Sequence, residues 1–249
     1  MNRSFMMNAK TAIRCLAVGG AIALAACATQ DPRTTPEPRG KWMPLFDGKT
    51  LDGWATTGKP EGWAVEDGTI ACQVQGGAYL YTKEQFENYV LSLDFKVSPP
   101  TTKLNPKTKK EETHKCNSGV FVRWSDLKNP VHSGIEVQVF DSVGVTTPGK
   151  HDCGALYDMV APVKNVEKLV GEWNRMIITC YGPMISVELN GEKICEMNED
   201  QFYKPRQNPD GTPNKYTNAW KDMPRKGHIG LQDHGHRVWF KDVKIKVLE

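Results

Sequence analysis

Beyond its first 26 residues this chain has no excess of either charge, no hydrophobic run long enough to cross a bilayer, no internal repeat and little helical periodicity. Each lack excludes something. Three of the 32 basic residues, Arg3, Lys10 and Arg14, fall in that first stretch, which has no acid; the remaining 29 face 29 acidic residues. A neutral body lacks the cationic footprint needed to neutralise phosphates, so nucleic acid is not an expected partner. A composition 39% hydrophobic and 24% charged is too apolar for disorder and too varied for a collagen-like repeat. The one apolar run, Cys15–Ala26, is shorter than the ~20 residues a spanning helix needs. Preceded by three cations, it has the pattern of a secretory leader. With no second hydrophobic pattern, a single domain is expected.

The segment Leu24-Ala25-Ala26-Cys27 resembles the lipobox of bacterial lipoproteins. That implies a signal peptide over 1–26, lipidation of Cys27 and a tether over 27–41, extended by Pro32, Pro36 and Pro38. The folded domain then spans 42–249. The expected location is periplasmic or at the cell surface, held to a bacterial membrane by the lipid anchor. Removing Cys15 and acylating Cys27 leaves Cys72, Cys116, Cys153, Cys180 and Cys195, an odd number that leaves a free thiol even in an oxidising compartment. His114-Lys-Cys116 and His151-Asp-Cys153 repeat a His-x-Cys spacing. A tetrahedral zinc site, a Cys116–Cys153 disulfide and unpaired thiols all remain open for them.

What is present is a series of short alternating runs separated by turn signals. Trp63–Cys72 reads as two strands about Asp67-Gly68, and Asn190-Gly191 separates Met184–Leu189 from Lys193–Met197; both dipeptides suit tight hairpins. Tyr89–Val97 alternates strictly. Further strands are expected at Gly119–Trp124, Gly134–Phe140, Arg175–Tyr181, Ile229–Gln232 and Val238–Val247. Only Lys83–Asn88 and Asn198–Tyr203 suit helical turns. Pro99–Lys115, rich in lysine, and Gln207–Arg225, rich in Asn, Pro and Gly, read as long loops, which are uncommon in compact domains and often functional. The series predicts an all-β sandwich or barrel.

Alternation also assigns faces. Ile135, Val137 and Val139 share one side of their strand; Glu136 and Gln138 share the other, with Asp141 at the end. In the preceding strand Val120, Val122 and Trp124 group together, leaving Phe121 and Arg123 opposite. An arginine, a carboxylate and an amide beside aromatic carbon fit either a solvated outer face or a ligand-binding one. His228 reads as structural. His234, in Gln232-Asp233-His234-Gly235-His236, ends a strand where functional groups are common.

Seven segments occur in order: Pro44–Trp54, Asn117–Arg123, Gly134–Asp141, Gly154–Tyr157, Gly171–Asn174, Val187–Gly191 and Gly230–Gly235. Together they resemble the 3-keto-disaccharide hydrolase domain family, also described as 3-keto-glycoside lyases and hydratases. The resemblance implies a concanavalin A-like jelly-roll sandwich of two antiparallel sheets, active on the concave face, and so favours function for Arg123, Glu136 and Gln138. It implies a 3-keto-glycoside or disaccharide as substrate. A C3 ketone acidifies the C2 hydrogen, so a base can form an enolate and the C1 substituent can leave by β-elimination, with hydration completing a net hydrolysis. Glu136, His151 or His234 would be the base. Tyr157 or a histidine would deliver the proton. Arg123, Gln138, Asp141, Gln232 and Asp233 would bind substrate. A divalent metal ion is the one cofactor the resemblance brings into question, with Glu136, His151 and His234 as its first ligands. A non-catalytic carbohydrate-binding module of the same fold is the alternative.

Overall fold

The computed structural model describes residues 40–248; the leader and nearly all of the tether, Cys27 included, lie outside the described residues. Fifteen strands follow in chain order: β1 (Met43–Pro44), β2 (Trp54–Thr56), β3 (Trp63–Glu66), β4 (Thr69–Cys72), β5 (Tyr79–Thr82), β6 (Tyr89–Val97), β7 (Thr101–Leu104), β8 (Glu111–His114), β9 (Asn117–Trp124), β10 (Ile135–Phe140), β11 (Asn174–Tyr181), β12 (Met184–Leu189), β13 (Glu192–Asn198), β14 (His228–Gln232) and β15 (Val238–Val247). One antiparallel sheet runs β13-β12-β11-β6-β15-β4-β3, with β1 paired to β15; the other runs β10-β9-β14-β5-β2. This is a sandwich, as the alternating runs predict, with the jelly-roll form that the resemblance implies.

The core lies between the sheets. In β6 the odd positions Tyr89, Leu91, Leu93, Phe95 and Val97 are buried in it, and Val120, Val122, Ile135, Val137, Val139 and Leu231 join them from the five-stranded sheet. Each such aliphatic or aromatic side chain contributes about 1.5–3 kcal/mol through burial. The two hairpin dipeptides have positive φ at both residues, 47° and 75° for Asp67-Gly68 and 53° and 86° for Asn190-Gly191. That handedness matches the twist of the flanking strands.

Three local expectations change. Pro99–Lys115 is not a plain loop: β7 and β8 pair within it, setting Lys103 opposite Glu112, a favourable cross-strand charge pair on a wholly exposed hairpin. Lys83–Asn88 forms no helical turn, because Phe86 and Gly227 exchange backbone hydrogen bonds instead (2.8 and 3.0 Å). Within Asn198–Tyr203 the helical turn is Glu199–Gln201, capped by the Asn198 side chain on the Asp200 N–H. All five described cysteines are buried and unpaired. Cys116 Sγ points at the Arg237 carbonyl (3.5 Å) rather than at Cys153.

Candidate active site

The site is built on the face of the five-stranded sheet that points away from the core. Antiparallel pairing sets Glu136 opposite Phe121 and Gln138 opposite Gly119. Glu136 and Gln138 are only 6% and 2% exposed although they lie outside the sandwich core. Gly119 makes room for the carboxylate: a Cβ there would stand 2.6 Å from Glu136 Oε1. Across β14, Gln232 pairs with Tyr79. An aromatic floor continues the face, with Tyr79 against Phe121 (5.1 Å between ring centroids) and Trp124 (5.3 Å), and Tyr81 against Trp124 (5.6 Å).

Arg123 does not belong to this face. The β9–β14 register slips between His228 and Gly230, and Arg123 has a left-handed backbone (φ 53°). Such a bulge inserts one residue and interrupts the alternation. Arg123 therefore turns inward, 1% exposed, where its guanidinium pairs with Glu199 and donates to the Gly182 carbonyl (2.7 Å). Trp124 takes the outward place that strict alternation assigns to its neighbour. Both face assignments read from the sequence are thus reversed here.

A segment after β10 brings Tyr157 to Glu136. Gly154 and Gln138 are joined by a backbone hydrogen bond (2.8 Å), as are Gln138 and Ala155 (2.9 Å), and the Tyr157 N–H donates to the Glu136 carbonyl (2.9 Å). The long loop over 207–225 then folds onto this segment. The Lys215 N–H donates to Asp158 Oδ2 (2.6 Å), and the Tyr216 hydroxyl donates to the Tyr157 carbonyl (2.7 Å). Buried Tyr216 and Trp220 hold the loop down, their rings 5.0 Å apart. The ammonium of Lys215 is thereby placed 3.8 Å from Glu136 Oε2 and 3.9 Å from the Tyr157 ring centroid. His151 stands at the rim, with its ring 4.6 Å from that of Tyr157 and its Nε2 3.1 Å from Asp158 Oδ1.

Burial pushes the Glu136 carboxyl up to about 7, against the pull of Lys215 and a hydrogen bond from Gln232. The same desolvation lowers Lys215, opposed by Glu136 and Asp158. Tyr157 is raised by burial and then by the Glu136 and Asp158 charges, so its hydroxyl keeps its proton. Gln138 donates to Asn117 Oδ1 (3.2 Å), yet its own Oε1 and that of Gln232 are buried without a partner. Buried acceptors left open are costly unless something else supplies the donor. A base near neutrality, a cation, a protonated phenol and two open amide carbonyls thus share one surface.

The other sequence-predicted residues lie elsewhere. Asp233 closes a turn, accepting from the Gly77 and Gly235 N–H groups (both 2.9 Å). Asp141 is buried at its strand end, accepts from the Val143 N–H (3.3 Å) and neighbours Cys116, Cys153 and Glu167. His234 is exposed in a cavity with Asn117 and Phe140, beyond Gln138 along the sheet. Glu136, His151 and His234 therefore do not converge, and no group of three or more His, Cys, Asp or Glu among the described residues is arranged to hold a metal. The donor set does not fit the divalent ion. His228 is structural, its Nδ1 2.6 Å from the Thr82 carbonyl. Sequence reasoning missed Lys215, Tyr79 and Trp124. Only the unusual length of the 207–225 loop hinted at the first.

A β-sandwich with a desolvated carboxylate, open amides and an aromatic floor on one outer face is a saccharide-handling architecture. The chain belongs to the 3-keto-alpha-glucoside-1,2-lyase-like domain family, whose model matches residues 41–246, and is a carbohydrate-active enzyme. It is 28% identical over 247 residues to a 3-keto-disaccharide hydrolase of Bacteroides thetaiotaomicron, covering 89% of this chain and 83% of the relative. A crystal structure from Parabacteroides distasonis, provisionally named a glycosyl hydrolase, aligns with TM-score 0.70 and 34% identity over 84% of this chain and all of that one. A Bacillus subtilis protein of galectin-like fold aligns at TM-score 0.51 and 12% identity, over 83% of this chain and 94% of that one, a likeness of fold alone.

Proposed function

We propose that the enzyme cleaves 3-keto-glycosides by removing the C2 hydrogen and expelling the C1 substituent. The observation that carries the reading is the placement of Glu136, a buried carboxylate 3.8 Å from the Lys215 ammonium that burial pushes up to about 7. A general base works best when its pKa lies near the working pH. Glu136 takes the C2 proton, and the C2–H electron pair moves toward the C3 carbonyl as an enolate. The Lys215 ammonium steadies the oxygen that gains charge. Collapse of the enolate forms the C1–C2 double bond and breaks the bond from C1 to the leaving oxygen, which takes the Tyr157 proton. Water adding across the double bond completes net hydrolysis. The open carbonyls of Gln138 and Gln232 accept sugar hydroxyls, and the aromatic floor packs against the ring.

The test is incubation with a 3-keto-glucoside deuterated at C2 and with the unoxidised glucoside. Expected are cleavage of the first alone and loss of deuterium to solvent or a primary isotope effect. Equal cleavage of both with the label retained would overturn elimination, and binding without cleavage of either would leave a carbohydrate-binding module. The lipobox-like segment supports a place outside the cytoplasm, anchored to a bacterial membrane through Cys27. Cys27→Ser is expected to free the protein from membranes with unchanged specific activity; a Ser variant still retained there would remove the anchor.

A further inference from the structure

We propose that the cavity beyond Gln138 is the subsite for the departing part of the substrate, and that it selects leaving groups carrying a carboxylate or similar anion. The inference rests on the elimination reading above. The cavity, about 390 Å³, is lined by His114, Lys115, Asn117, Phe140, His234 and His236, a volume in the range of small-molecule sites. It continues the Glu136 face. Glu136, Gln138 and Phe140 alternate outward along β10, and at ~3.3 Å per residue Phe140 stands ~13 Å from Glu136. The bond from Gln138 to Asn117 Oδ1 bridges the two regions. A sugar with C2 at Glu136 and its ring along Gln138 directs its C1 substituent either toward this cavity or away from it. Along the first path the cavity offers space and polar groups to receive a second unit.

Lys115, whose Nζ also donates to the Asp141 carbonyl (3.0 Å), is the charged side chain lining the cavity, beside three imidazoles. Lys103 and His114 act electrostatically on His236 along with His234. Both ring nitrogens of His236 are buried without a partner. The nearby acids direct carboxylate oxygens to other donors. Asp233 accepts from two backbone N–H groups, Asp141 lies 4.0 Å from Lys115 Nζ and accepts from Val143, and Glu112 accepts from Asn105 Nδ2 (2.6 Å). An ammonium and imidazole N–H groups are donors, and hydrogen bonds from such donors to an anion are the strong, charge-assisted kind. A neutral group would offer them only the weaker neutral kind. Phe140 adds an apolar wall suited to the body of such a group.

The experiment uses the full chain with the 3-keto-glucosides of 4-hydroxybenzoate and 4-hydroxybenzamide, made as both anomers. These differ in charge and little in shape. Expected is a kcat/KM at least about tenfold higher for the benzoate, carried mostly in KM. The His114→Gln/His234→Gln variant should reduce that ratio to near one. Separately, free 4-hydroxybenzoate should shift the His234 and His236 imidazole resonances and the benzamide should not. Equal KM values, a ratio unchanged in the variant, or silent imidazoles would each overturn the subsite. If neither glucoside is cleaved, the elimination reading fails by itself, and the imidazole shifts still decide the anion site.

Discussion

Glu136 and Glu199 are both almost fully buried, 6% and 2% exposed, on opposite sides of the five-stranded sheet. Burial pushes both carboxyls up to about 7, so the shift alone does not tell them apart. Their partners differ. Glu199 receives the buried guanidinium of Arg123 and has Arg225 Nε 3.7 Å away, and the two pull its carboxyl back toward the charged form. Glu136 has one ammonium at 3.8 Å, belonging to a lysine that is 35% exposed and that burial itself weakens. The inner glutamate is a completed ion pair; the outer one is left under-compensated beside amide carbonyls that lack donors. Buried charge is tolerated when paired and becomes chemistry when the pairing is left for a substrate to finish.

Exchanging Glu136 for Gln tests the outer half of that comparison. Turnover of a 3-keto-glucoside should fall about 10²- to 10⁴-fold, without loss of stability. Because the folded carboxyl titrates near 7 and the unfolded one in the ordinary range near 4.5, the native state binds the extra proton between those values. Wild-type stability from this group therefore falls as pH rises through that window. The Gln variant should escape the penalty and melt no lower than wild type at pH 8. Wild-type kcat/KM should rise through about pH 7 to a plateau. A Gln variant that melts well below wild type while retaining turnover would assign Glu136 to structure.

The inner half breaks differently. Arg123→Met should cost about 3–5 kcal/mol by leaving Glu199 buried without its partner, while the folded protein retains turnover. Arg123→Met combined with Glu199→Leu should regain much of the loss. Urea denaturation with activity measured in parallel checks this. Lost turnover at intact stability would return Arg123 to the substrate face.

Smaller effects sharpen the two faces of one strand. Val137→Ala should cost about 1–3 kcal/mol in a core where Val137 is fully buried. Gln138→Ala should raise KM with little change in melting temperature, because its open Oε1 has no protein partner to lose. The reverse pattern would invert the face assignment. The smallest readout belongs to Lys215→Met, which should lower kcat/KM by about 10²- to 10³-fold as the enolate loses its cation and which also removes the charge that lowers Glu136. It should move the midpoint of the kcat/KM profile to higher pH, by less than about one unit given the exposure of Lys215. A downward move would separate the lysine from the base.

The sequence by itself determined the strands whose side chains alternate between oil and water. Tyr89–Val97, Met184–Leu189 and Val238–Val247 fall where the pattern put them, and Asp67-Gly68 and Asn190-Gly191 turn as their backbone freedom requires. Glu136 and Gln138 were legible for the same reason, since a regular pleat sends every second residue to one face. Tertiary structure decided what the pleat does not carry. A one-residue bulge at Arg123 exchanged the faces of Arg123 and Trp124, and no periodicity announces where a ladder will slip. Tyr79 lies on a short strand after Gly76 and Gly77, too brief to alternate visibly. Lys215 reaches Glu136 only because an irregular loop is pinned at Asp158 and Tyr157, more than 50 residues earlier in the chain. Such contacts depend on closing long loops in three dimensions, and local residue order does not encode where those loops return.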